Sequence, residues 1–349
     1  MTVEHSLFIE PGTAIVALQY LNLNGPQLTA LGTRSDSIIF TSKSGNVDLN
    51  INSLVQRYKH CTFFKLNSLN FNQQDTEKTR VQFDTCHFSD APSINFNYIG
   101  MLEMHNTIIR RSSLGVNADT IKLFQNIFYG DEYTSFNGNL EFSHAVIKNN
   151  NFLGDFSIYP HNSRDTIMNN IFNNNVWFNN VSPSGTRLFF AYNDAPMLQQ
   201  GVPGIGNPVI QNDNGYPCDL FFNIFADPLF EDIVTGVLQS NSPCIRAGLN
   251  GKNIGVWQGN LTGMASRPAK AGIPSLEMKP KTISLLQSGK NFEFRSCLPD
   301  GKGPVNIYSL NGRRLTVINT SSLKNNGMAK RLSSGIFVTK KAGSGQRPR

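Results

Sequence analysis

From Cys61 to Phe172 one short pattern of polar and apolar positions keeps returning: a small polar residue, any residue, then a large apolar one. It reads Cys61-Thr62-Phe63, Cys86-His87-Phe88, Asn106-Thr107-Ile108, Asn126-Ile127-Phe128, Asn150-Asn151-Phe152 and Asn170-Ile171-Phe172, with first members 25, 20, 20, 24 and 20 residues apart. Such intervals are too short for arrays of helical hairpins, and the units are rich in Phe, Ile, Asn and Gly. The pattern predicts a solenoid of short strands. Each repeat is one winding whose inward side chains stack on those of the next, about 4.8 Å away. No winding buries its own apolar face, so the interval carries more information than any single residue. Asn suits the recurrent position because its amide can hydrogen-bond to the amides above and below as a ladder, and because Asn tolerates turn geometry. Cys61 and Cys86 hold that slot in the first two windings, where a buried small-residue ladder is expected in preference to a disulfide.

Along the rest of the chain the rhythm varies. Residues 43–60 lack clean alternation and read as a loop or a bulging winding. Asn72 to Lys78 is strongly hydrophilic, an excursion between windings. The repeat is cleanest from Phe83 to Asn180. After Phe178 it loosens: Ser182 to Gly185 and Pro196 to Pro217 together hold five Pro and five Gly, the mark of a long irregular insertion.

Alternating apolar residues punctuated by Pro11-Gly12, Gly25-Pro26 and Gly32 make short strands at the start of the chain. The segments Ile9-Glu10-Pro11-Gly12-Thr13, Gly25 to Thr33 and Ile38-Ile39-Phe40-Thr41-Ser42 resemble the opening windings of secreted bacterial right-handed parallel β-helix proteins, the pectate-lyase-like architecture. Ala226-Asp227-Pro228-Leu229-Phe230, then Leu238 to Gly248 and Asn253-Ile254-Gly255, are similar to the closing segment of the same proteins. Asn253 stands where that family has Asp, and its amide is expected to cap the same turn. The resemblance brackets residues 1–257 as one all-β, right-handed parallel β-helix domain.

Residues 258–274, with three Gly and two Pro, read as a linker. Beyond it, short alternating strands surround Asn311-Gly312, a hairpin signal. Val305-x-Ile307-Tyr308-Ser309-Leu310-Asn311-Gly312-Arg313-Arg314-Leu315 and Leu332 to Lys340 resemble the small C-terminal β-sandwich that sorts cargo of the bacterial type IX secretion system. The resemblance implies that residues 275–349 are an address read by that machinery, on a protein secreted or held at the outer cell surface. The start of the chain lacks a basic region followed by an apolar stretch, so no signal peptide is recognised, and the chain is expected to be incomplete at its N-terminus.

Charge sharpens this division. Residues 1–265 carry 15 Lys or Arg against 21 Asp or Glu, net −6, whereas residues 266–349 carry 16 against 3, net +13. The basic balance of the whole chain therefore belongs to its tail, and the main body has no basic stripe for nucleic-acid phosphates. No apolar run of about 18 residues is present to span a membrane as a helix. The five Cys lack metal-type spacing; pairing of Cys218 with Cys244 stays open.

On a β-helix, ligands are expected along an outer groove, held by equivalent positions of successive windings. Five residues past the recurrent polar position lie Ala91, Arg111, Asp131, Asp155 and Asn175. In that register Asp131 and Asp155 stand about one winding apart beside Arg111, so the two carboxylates could supply oxygen ligands to Ca²⁺ and Arg111 could grip a sugar carboxylate. Ordinary turn chemistry, with Asp accepting backbone N–H bonds, is the stronger reading of Gly-Asp after an apolar strand. Tyr133 and Tyr159 are candidates for stacking on sugar rings, while Arg110, His144, Lys148, His161, Arg164 and Asp165 read as a solvated outer face. The clustered Asp, His and Arg-x-Lys motifs of hydrolases with this architecture are missing. The expectation is a secreted monomer that binds polysaccharide or a cell-surface glycan, or acts as an adhesin, without catalysis and without a certain cofactor. The alternative is a Ca²⁺-assisted polysaccharide lyase acting on an acidic, uronate-containing glycan, with Arg111 near the base role.

Overall fold

The computed structural model describes residues 6–18, 20–72, 79–130, 136–161, 165–179, 188–198 and 205–256, and beyond them the backbone of six strands between 283 and 341. Short and long strands alternate along the chain. The short ones, Ala14–Ala17, Ile38–Ser42, Cys61–Phe64, His87–Ser89, Ile108–Arg110, Ile127–Tyr129, Asn151–Leu153 and Ile171–Phe172, pair in parallel as one sheet. The long ones, Leu21–Leu31, Asp48–Lys59, Ser93–His105, Ser113–Phe124 and Asn137–Lys148, pair in parallel as the other. In three windings the long strand is split, as Ser68–Asn72 with Arg80–Asp84, as Asp155–Pro160 with Thr166–Met168 and as Val176–Phe178 with Phe189–Ala191. The chain thus winds as a right-handed parallel β-helix of about seven turns. Residues 73–78, the core of the expected excursion, lie outside the described set, between the two halves of a split strand.

Inward side chains stack in register. Phe40, Phe63, Phe88, Ile109, Phe128, Phe152 and Phe172 share one slot of the short-strand sheet. Their rings lie one strand spacing apart, with centroids 4.6 Å apart for Phe40–Phe63, 4.9 Å for Phe128–Phe152 and 4.7 Å for Phe152–Phe172. From the long strands, Tyr58–Phe83 at 4.8 Å and Phe71–Phe96 at 4.6 Å stack in the same way. Each such ring is fully buried and stabilises the fold by about 1.5–3 kcal/mol.

The polar slot between a long strand and the next short strand forms the expected ladder. Buried Asn126, Asn150, Asn170, Asn193 and Asn223 each donate to the Oδ1 of the next, at 2.9, 2.9, 3.0 and 3.1 Å, and Asn223 ends the series on the Asp219 carboxylate at 3.0 Å. The ladder continues beyond Phe178, through the region where the sequence rhythm loosens. In the third winding the structure corrects the register by one residue: Ile108 pairs with His87 and Ile127, so Thr107, not Asn106, occupies the slot, and its backbone N–H donates to Asn126 Oδ1 at 2.9 Å. Asn106 has a different task. The residue preceding the slot is left-handed in every one of these windings: His60, Thr85, Asn106, Gln125, Asn149, Asn169, Tyr192 and Phe222 have φ of 47, 56, 50, 59, 57, 56, 55 and 62°. Asn is favoured at both neighbouring positions for separate reasons, which is how the pattern slipped.

Residues 43–60 also depart from expectation, because Asp48–Lys59 is one continuous strand. Its inward positions include the polar Ser53 and Gln56, which break the apolar alternation. Gln56 donates to the Ser53 carbonyl and accepts from the Tyr58 hydroxyl, both at 2.9 Å, so the buried polar groups are paired.

The closing segment does not add windings. Phe230, Val234 and Val256 instead cross the outside of the short-strand sheet, on Ile108, Ile127, Tyr129 and Leu153. The strap is fastened where Val256 N–H donates to Asn151 Oδ1 at 3.0 Å and Leu249 N–H to Asn169 Oδ1 at 3.0 Å. Gly236 (φ 71°) and Gly255 (φ 87°) allow this approach, since a Cβ on either would fall 2.6 Å or 2.4 Å from an Asn151 side-chain atom. Asn253 caps as expected, its Oδ1 accepting from Arg246 N–H at 3.0 Å. Cys61, Cys86, Cys218 and Cys244 are buried free thiols, so the Cys218–Cys244 disulfide left open above is not formed.

Beyond the strap, Ile283–Ser288 pairs with Asn291–Ser296, and Pro304–Tyr308 pairs with both Arg314–Asn319 and Val338–Lys341, all antiparallel. The Asn311-Gly312 turn itself and the 258–274 linker lie outside the described residues.

Candidate functional site

Outward positions near the start of each long strand make up one regular face. One column runs Asn22, Asn50, Asn70, Asn95, Gly115, Asn139, Ser157 and Trp177. Two residues further along each strand lie Asn24, Asn52, Asn72, Asn97, Asn117, Glu141 and Tyr159. A third column, two residues earlier, holds Asp48, Ser68, Ser93, Ser113, Asn137 and Asp155. Strand geometry sets the grid: about 4.8 Å between windings and about 6.7 Å between columns.

The amides brace one another. Asn52 donates to Asn24 at 2.7 Å, Asn70 to Asn50 at 2.9 Å, Asn95 to Asn70 at 2.9 Å and Asn97 to Asn72 at 2.7 Å. A side-chain amide has two N–H donors, and on Asn70 and Asn95 the second goes to Ser68 Oγ at 2.9 Å and Ser93 Oγ at 2.8 Å, so these amides are fixed within their own strand as well as across windings. The result is a stiff array of amides held at fixed positions. None of the three columns contains a Lys or Arg.

The sequence carried a signal for this face. Asn22-Leu23-Asn24, Asn50-Ile51-Asn52, Asn70-Phe71-Asn72 and Asn95-Phe96-Asn97 repeat an Asn-apolar-Asn triplet, polar outward and apolar inward. The recurrent polar slot precedes a short strand, whereas these triplets fall on the long strands and so lie outside that pattern. No family model matches this chain, and neither does any curated protein or solved structure.

Of the residues singled out from sequence, Tyr159 joins the face, paired in register with Glu141. Asp155 lies at its edge, but the register sets it against Asn137 and its Oδ1 accepts from Asn175 Nδ2 at 3.1 Å. Arg111 is two windings away, left-handed at φ 50° and ion-paired with Asp90 at 2.8 Å, so the structure does not bring Arg111 to Asp155. Asp131 and Tyr133 lie outside the described residues, as does Arg164. Among the described residues no three His, Cys, Asp or Glu side chains gather as a cation site.

Asp165, expected on the solvated face, is buried; it accepts from Ala145 N–H at 2.7 Å, and burial pushes its carboxyl up to about 6. The far half of the long-strand sheet carries a second groove, of about 470 Å³, with Arg57, Lys59, Gln82, Asp84, Glu103 and His105. Within it Lys59 pairs with Asp84 at 3.1 Å, and Gln82 and His105 with Glu103 at 3.0 and 2.8 Å. Among the described residues no helix is long and apolar enough to cross a membrane.

Proposed function

We propose that this protein is a non-catalytic carbohydrate-binding β-helix, secreted or displayed at the cell surface, that holds a polysaccharide or surface glycan along the amide face. One observation carries the reading: four windings in succession present an Asn-apolar-Asn triplet whose outward amides hydrogen-bond across windings. Such a grid is preorganised, so ligand hydroxyls displace water without ordering long side chains. Stacked equivalent positions favour an extended polymer with a repeating unit over a compact small molecule. The net −6 of residues 1–265 and the cation-free columns favour uncharged glycans over uronate polymers. Export rests on the sequence resemblance of residues 305–340 to a sorting domain.

Purified protein is passed over immobilised neutral and acidic polysaccharides, and soluble products are followed by reducing ends and by the absorbance of unsaturated uronate. Retention on a neutral glycan without product, weakened at least about tenfold by Asn70→Ala combined with Asn95→Ala, is the expected result. Equal retention of the double variant removes the amide face from the account, and product formation removes the non-catalytic reading.

A further inference from the structure

The amide face has one irregularity. Where the strand Ser93–His105 runs beside Ser113–Phe124, Phe96 pairs with Val116 but Ile99 pairs with Ala118, so Asn97 and Tyr98 together oppose Asn117. This is a β-bulge, a device that re-aims a side chain. The re-aimed side chain is Tyr98, left-handed at φ 55° and 62% exposed. A bulky aromatic pays for that conformation on the order of 1–2 kcal/mol, and exposure returns no burial.

Tyr98 borders a cleft of about 190 Å³ with Asn117, Asp119, Glu141, Ser143 and His161. Volumes for drug-sized ligands begin near 300 Å³, so this one suits a single sugar ring. Its polar groups are held in place: Asn117 Nδ2 donates to Glu141 Oε2 at 3.2 Å, and Glu141 Oε1 lies 2.8 Å from His161 Nε2. Two carboxylates and no Lys or Arg line the cleft, so an anionic sugar would be repelled there, whereas hydroxyls would find acceptors on Glu141 and Asp119 and both kinds of partner on Asn117. Asn117 belongs to the amide column, so the cleft opens directly onto the face.

We propose that the Tyr98 cleft is the anchoring subsite of the face: the phenol ring stacks on the C–H face of one uncharged hexopyranose unit, and Asn117, Glu141 and Asp119 hold its hydroxyls. This rests on the reading of the amide face as a glycan-binding surface. The rest of the chain would then run along the columns, from the bulge across neighbouring windings.

The test titrates the full chain with hexasaccharides of β-1,4-linked glucose, mannose or N-acetylglucosamine and, separately, of galacturonate, followed by calorimetry. Binding of at least one neutral hexasaccharide, weakened about tenfold in Tyr98→Ala, little changed in Tyr98→Phe, and much weaker for galacturonate, is the expected result. Tyr98→Gly, which suits the left-handed backbone, guards against a folding artefact and should bind as poorly as Tyr98→Ala. Unchanged affinity in Tyr98→Gly, with loss in Asn70→Ala, overturns the subsite while leaving the face intact. Galacturonate bound as tightly as the neutral sugars overturns the charge argument. Absence of binding by any of these probes and by neutral polysaccharide overturns subsite and face together.

Discussion

The side-chain amide of Asn150 donates to Asn170 Oδ1 at 2.9 Å, across 20 residues of sequence and one strand spacing. The same amide also reaches the carbonyls of Leu123 and Lys148, both at 3.0 Å, so a single side chain satisfies groups from three consecutive windings.

Truncating it removes these donors and also the Oδ1 that accepts from the buried Asn126 N–H and Nδ2, both at 2.9 Å. Asn150→Ala is expected to lower stability by about 2–4 kcal/mol, and Asn150→Asp, which keeps the shape but loses the donor, by a similar amount. Asn106→Ala should cost under about 1 kcal/mol, because Asn106 serves the turn and not the ladder. Urea midpoints of the three variants check the ranking. A cost for Asn106→Ala equal to that of Asn150→Ala would contradict the register.

Thr85 holds the left-handed position before the slot at φ 56°, where a β-branched side chain is strained. Thr85→Asn is expected to stabilise by about 0.5–1 kcal/mol by relieving that strain. A higher thermal midpoint supports this; a lower one would show that the bond from Thr85 Oγ1 to Asp84 Oδ1, at 2.8 Å, matters more.

Asp194 joins the last windings to the strap, accepting from Ala226 N–H at 3.2 Å and from the Cys244 thiol at 3.0 Å. Burial pushes its carboxyl up to about 7 from 3.8. The native state therefore keeps a proton that the unfolded chain has released, so this group's contribution is full below about pH 4 and is lost as pH rises through about 7. Its size is on the order of a few kcal/mol. The thermal midpoint should be higher at pH 5 than at pH 8, and Asp194→Asn should flatten that dependence. An undiminished slope in the variant would place the titration elsewhere.

Gly255→Ala puts a methyl 2.4 Å from Asn151 Oδ1 on a backbone at φ 87°. Loss of about 2–4 kcal/mol is expected, with early proteolytic cleavage between residues 229 and 256 as the strap lifts. Cleavage at the wild-type rate would mean that the strap adapts.

Removing residues 275–349 from the full-length gene, in a host with a type IX route, is expected to leave the protein inside the cell. Continued export of the truncated form would count against the sorting assignment.

The sequence by itself determined the architecture. Interval and composition are enough to specify a stacked β-helix, because each winding must bury its Phe and Ile against the next; the slots at Cys61, Cys86, Asn126, Asn150 and Asn170 were legible for the same reason. The tertiary structure alone decided lateral register and covering. Adjacent Asn106 and Thr107 both satisfy local turn preferences, and only pairing of Ile108 with His87 and Ile127 decides which one enters the ladder. Likewise the Asn-apolar-Asn triplets become a surface only when windings 20 to 28 residues long lie over one another, and the strap reaches Asn151 from 105 residues away. Local chemistry chooses the kind of residue at each position; which residues become neighbours across windings is set by hydrogen bonding between strands, and no local pattern encodes it.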